Sequence, residues 1–118
     1  MSLNFALFRQ VNVARCLRWH RNGLCDWSIN DWLVAMGGEC GEALDVGKKL
    51  RRLQSNYHSV KKTFRDEDEA LDALEEEIAD VVIYADLVLA RVGRSLEDAI
   101  IKKFNAVSER EGFPDRLD

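Results

Sequence analysis

Proline is almost absent from these 118 residues: Pro114 is the only one, so nothing upstream of it forbids long uninterrupted helices. Cysteine and histidine are equally sparse. Cys16, Cys25 and Cys40 are odd in number and form no Cys-x-x-Cys pair, and His20 and His58 stand far apart. Neither a disulfide framework nor a zinc site is indicated, and a reducing, cytoplasmic setting is expected. No one sign of charge dominates, because 17 Lys and Arg face 21 Asp and Glu for a net charge of −4. That excludes a field able to hold a nucleic-acid polymer or an anionic membrane, although a small polyanion could still be held through a metal ion. Long apolar runs are missing too. The opening MSLNFALFRQVNVAR lacks a basic segment followed by an apolar stretch, so neither export nor membrane spanning is expected.

What the chain does contain is 47% hydrophobic residues recurring at steps of three and four, without the alternation of a strand. The expected fold is all-α, a four-helix-bundle-like arrangement in a single domain over 1–118, assembled as an oligomer. A first helix is read from about Asn4 to Arg21, stopping at Asn22-Gly23, with Leu24–Trp27 as a connector. Ser28 with Asp31 resembles an N-cap and acidic first turn, opening a helix that runs to about Arg52 despite Gly37, Gly38, Gly41 and Gly47. Those glycines cost helix propensity; at Gly37, Gly38 and Gly41 the lack of a side chain would allow close helix contact, the alternative being a helix weakened to no purpose. Gln54–Arg65 reads as a loop, Asp66–Val92 as a third helix ending at Gly93, and Ser95-Leu96-Glu97-Asp98 as the start of a fourth helix to about Arg110. Glu111–Asp118 is a tail.

Carboxylates carry the chemistry. Glu39 and Glu42 fall about 60° apart on a helical wheel, within a stripe that also holds Trp32, Ala35, Ala43, Val46 and Leu50. The third helix repeats the device: Glu77, Asp80 and Tyr84 share a sector, while Asp72, Glu75, Glu76 and Asp86 are read onto a different, solvated side. Several acids set among apolar neighbours are costly to ionise unless a cation neutralises them. Oxygen donors without His or Cys suit Mg²⁺, with Mn²⁺ as an alternative. A single ExxE is ordinarily a solvated face; two such pairs on apolar faces of neighbouring long helices point to a metal site. The Glu-x-x-His of a di-iron bundle is missing, and Asp66-Glu67-Asp68-Glu69 lacks the glycine of an EF-hand loop.

Three segments, GGECGEALDVGKK, EEEIADVVIYAD and KKFNAVSER, resemble the MazG-like all-α NTP pyrophosphohydrolases, dCTP pyrophosphatase-like members in particular, over roughly residues 5 to 111. The resemblance implies a helical metal site that hydrolyses a nucleoside triphosphate to the monophosphate and diphosphate, in a homodimer or homotetramer, as a nucleotide-pool task. It places Glu39, Glu42, Glu77 and Asp80 as metal ligands and catalytic residues, and Tyr84 and Asn105 as nucleotide contacts. Many members carry a further glutamate just before the first ExxE, where this chain has Gly38, which leaves the number of ions open.

Around this site Lys49, Lys103 and Arg110 are candidate phosphate contacts, or alternatively solvated basic residues near helix ends. Trp32 precedes Glu39 by seven residues, about 10 Å along a helix, which matches the reach of a triphosphate from metal to base. Trp32, Trp27 or Trp19 could stack on that base, with a deoxypyrimidine such as dCTP expected, but aromatics on helices are more often core; His20 is a base contact or a surface residue. Val81–Ala90 is apolar nearly all round apart from Asp86, which implies self-association. The rival readings are a phosphoribosyl-ATP or dUTP-type pyrophosphohydrolase, and a helical interaction module without turnover.

Overall fold

Helix formation is decided locally at the chain's caps. In the computed structural model, which describes residues 2–55 and 64–118, Asn4 accepts a hydrogen bond from the Leu7 amide at 2.8 Å and opens α1, Phe5–Trp19. His20 closes it, its amide donating to the Cys16 carbonyl. The connector is a 3₁₀ turn, Gly23–Asp26, entered through Gly23 at φ 64°, a conformation that L side chains rarely adopt. A Cβ at Gly23 would also lie 3.0 Å from the Leu17 side chain. Next, α2 spans Ile29–Gln54, beginning directly after Ser28.

Asp66 caps α3, Glu67–Arg91, by accepting the Glu69 amide at 2.9 Å, with Glu67, Asp68 and Glu69 favourably placed at the positive end of the helix dipole. Gly93 at φ 70° ends it, while the Arg94 amide reaches back to the Leu89 carbonyl. Ser95 caps α4, Leu96–Glu111, through the Asp98 amide, and Gly112 terminates it in the left-handed region. The described residues thus form four α-helices and no strand, and none of these helices is long and apolar enough to cross a membrane. Most of the loop read from Gln54 to Arg65, His58 included, lies outside the described residues.

The chain divides into two compact units, Met1–Ile29 with Ala85–Asp118, and Asn30–Tyr84. The first has Cys16 and Leu87 in its core together with three buried polar residues, Asn12, Asp86 and Ser108. Asp86 is 1% exposed, which corrects its expected place on a solvated side. Its carboxylate accepts from Arg9 Nε at 2.8 Å and from Asn12 Nδ2 at 3.1 Å, so the charge is buried with its hydrogen bonds made. Asp72, Glu75 and Glu76 are exposed as expected. Arg91 donates to the Trp27 carbonyl and fastens the connector to the end of α3.

The second unit buries Trp32, Val46 and Ala70. Trp32 meets Tyr84 with ring centroids 6.3 Å apart and planes tilted by 43°. A Cβ added at Gly37, Gly38, Gly41 or Gly47 would meet nothing within 4 Å. The close helix contact expected at Gly37, Gly38 and Gly41 is therefore not made among the described residues.

Candidate functional site

Spacing along two helices assembles the acidic cluster of the second unit. Glu39 and Glu42 share a face of α2 because three residues advance an α-helix by slightly less than one turn, and Glu77 and Asp80 share a face of α3 for the same reason. One carboxylate oxygen from each of Glu39, Glu42 and Glu77 lies within 4.8 Å of the other two. Asp80 falls outside this tight group, yet its charge acts on both Glu39 and Glu77. The Oε2 atoms of Glu39 and Glu77 are buried with no hydrogen-bond partner. Leaving such atoms unpaired costs free energy, so their inward aim needs a counterpart.

The protonation equilibria register the same strain. Burial, followed by hydrogen bonding with and repulsion from Glu42, then repulsion from Asp80 and Glu77, pushes the Glu39 carboxyl up to about 7. Burial is likewise the largest cause raising Glu77, followed by Glu42 and Asp80, while a hydrogen bond with Glu39 opposes the rise. Both acids hold their protons more tightly in the fold than in an open chain. Three convergent carboxylates, each offering a hard oxygen donor, form a set suited to a Mg²⁺- or Mn²⁺-like cation.

A pH dependence follows. Between the ordinary carboxyl value of 4.5 and about 7 the unfolded chain loses the Glu39 proton before the folded chain does. The metal-free protein accordingly loses stability as pH rises through that window, whereas a bound divalent ion offsets the loss by favouring the ionised acids in the fold. Melting temperatures against pH in EDTA and in millimolar Mg²⁺ test this: the EDTA curve falls and the Mg²⁺ curve stays flatter. Parallel curves would contradict it.

The other candidate residues divide between the two units. Trp32, Lys49 and Tyr84 belong to the unit that carries the carboxylates; His20, Trp27, Lys103, Asn105 and Arg110 belong to the other. Of the two roles open to Trp32, the observed one is core: at 1% exposure it offers no face for a base to stack on. Half-buried Tyr84 packs on it. Lys49 is drawn to Asp45, at 2.6 Å, and Lys48 approaches the same carboxylate at 3.3 Å; these lysines hold the Asp45 carboxyl below its usual range.

In the first unit His20 and Trp27 meet edge to face at 4.7 Å, beside Asp26, whose carboxylate Asn22 binds through its side chain and its backbone amide. Trp19 is exposed and lies under Arg15 at 5.1 Å. Lys103 is exposed, and Arg110 pairs with Glu111. Asn105 is already engaged: its Nδ2 donates to the Leu117 carbonyl at 2.8 Å, and its Oδ1 accepts from the Leu117 amide at 2.7 Å.

Sequence reasoning missed this tail contact, for which no periodic signal exists. It also missed the burial of Asp86, where a signal was present: a single charge inside an apolar stretch, with Arg9 available as its partner. No family model matches the chain, and neither does any curated protein or solved structure.

Proposed function

We propose that this protein is a Mg²⁺-dependent nucleoside triphosphate pyrophosphohydrolase that converts a (d)NTP and water into the (d)NMP and diphosphate. The observation that carries the reading is the convergence of Glu39, Glu42 and Glu77, with two buried oxygens that lack any partner. The resemblance of three segments to MazG-like enzymes supports the same assignment, and it adds Asp80. Glu39, Glu42, Glu77 and Asp80 hold the ion in this reading, and one of these carboxylates also orients the attacking water. A bound Mg²⁺ supplies neutralisation of phosphate charge and activation of water. Tyr84, in the unit that carries these carboxylates, contacts the nucleotide.

The reading includes a homo-oligomer. On α2, Leu33, Gly37, Gly41 and Leu44 follow one helical face, and on α3 Leu71, Ile78 and Val82 do the same. Leu44 is 75% exposed and Ile78 50%. Such stripes mark surfaces that a second copy covers. Of the stretch Val81–Ala90 the stripe on α3 includes Val82, whereas Asp86 and Leu87 are buried.

A panel of nucleoside triphosphates, with dUTP, dCTP and phosphoribosyl-ATP among them, assayed for diphosphate release with and without Mg²⁺, tests the function. Light scattering at micromolar concentration tests the assembly. Mg²⁺-dependent release by a species at least dimeric is expected. No release from any member, with the protein folded and Mg²⁺ present, would leave a helical module without turnover.

A further inference from the structure

We infer that the outward face of α1 docks on the acidic face of α3 in a second copy of this chain. The inference rests on the homo-oligomer of the proposed function and on none of its chemistry. The charged residues of α1 are all arginines, Arg9, Arg15 and Arg18. Arg9 is turned to the buried Asp86, whereas Arg15 and Arg18 are exposed. At about 100° per residue, Val11, Arg15, Arg18 and Trp19 fall within one sector of roughly 100°. Val11 is 55% and Trp19 69% exposed, and the Arg15 guanidinium lies 5.1 Å from the indole centroid. Tryptophan and arginine are the residues that protein interfaces concentrate and that dominate their energetics.

The pattern on α3 is the opposite one. From Glu67 to Asp80 every charged residue is an acid. The exposed Leu71, Ile78 and Val82 fall within about 40° of one another, and the exposed Asp68, Asp72 and Glu75 border them on one side. An apolar strip edged with carboxylates complements Val11 and Trp19 edged with two arginines: the apolar groups exclude water, while the opposite charges fix orientation and disfavour pairing of like faces. Arg15 and Arg18 are three residues apart, about 4.5 Å along the axis, and Asp72 and Glu75 have the same spacing. Each copy carries both faces, so α1 of one chain finds its complement on any other.

Charge reversal tests the pairing. Arg15→Glu with Arg18→Glu makes both faces acidic, and Asp72→Lys with Glu75→Lys makes both basic; all four positions are exposed, so the changes act on association with little effect on the fold. In sedimentation at micromolar concentration, each double variant alone is expected to self-associate at least about tenfold more weakly than the unaltered chain. An equimolar mixture of the two is expected to recover association, because every acidic face then has a basic one to meet. Association of the unaltered chain is expected to weaken as NaCl is raised from about 0.05 to 0.5 M. Double variants that associate like the unaltered chain, a mixture that recovers nothing, or indifference to salt overturns the docking and leaves the homo-oligomer standing. An unaltered chain that is monomeric under these conditions overturns both, and leaves α1 to an acidic partner other than this chain.

Discussion

Glu39→Gln is expected to abolish diphosphate release and, at neutral pH without metal, to raise the melting temperature. Glutamine keeps the size of the side chain but removes the charge that burial and Glu42, Asp80 and Glu77 oppose. One pKa unit corresponds to about 1.4 kcal/mol, and after discounting for solvent screening the relief is on the order of 1–2 kcal/mol, a rise of a few degrees. Activity moves the other way and much further. Residues that merely support a metal ligand are worth about 10- to 100-fold, so loss of a ligand itself should cost at least about 100-fold. The opposed signs separate a metal site from a structural cluster, in which neutralising Glu39 would stabilise the fold and leave the chemistry untouched. Wild-type turnover in the variant would refute the assignment.

Trp32→Ala is expected to be the most damaging single change to the fold. Trp32 is the largest of the fully buried side chains and the support of Tyr84. Truncating a buried Trp typically costs about 3–5 kcal/mol, a large part of the 5–15 kcal/mol that holds an ordinary domain together. Thermal or urea unfolding measures the loss directly. Trp32→Phe, which refills most of the space, should recover much of it. A Trp32→Ala protein that melts within a degree of wild type would show that the indole is not a structural element.

Element identity was legible in the sequence because it depends on local signals. Asn4, Ser95 and Gly93 mark helix ends by their own chemistry, and the ends fall within a residue or two of expectation. The ExxE and ExxD faces were legible for the same reason, since helical phase depends on spacing alone. That three of the four acids converge tightly while Asp80 stands apart depends on how two helices pack, which spacing does not encode. Trp32 and Asp86 mark the limit in opposite directions. An indole suited to stacking proves to be core, and a charge read as solvated proves to be buried, because burial is settled by partners distant in sequence: Tyr84 for the one, Arg9 and Asn12 for the other.

The glycines of α2 leave it a helix only partly specified by its own residues. Each of Gly37, Gly38, Gly41 and Gly47 favours the helix by about 0.8–1 kcal/mol less than alanine would, and none is compensated by a neighbour within 4 Å. Three of them flank Glu39 and Glu42, so the weakest backbone in the helix lies where two of the three convergent carboxylates are mounted. Local opening there would separate the acids and relieve their repulsion; a divalent ion held by Glu39, Glu42 and Glu77 would penalise the same opening. With such an ion bound, ion occupancy and helix order around residue 40 would become one equilibrium, in which metal affinity would report how often this stretch of α2 is already wound.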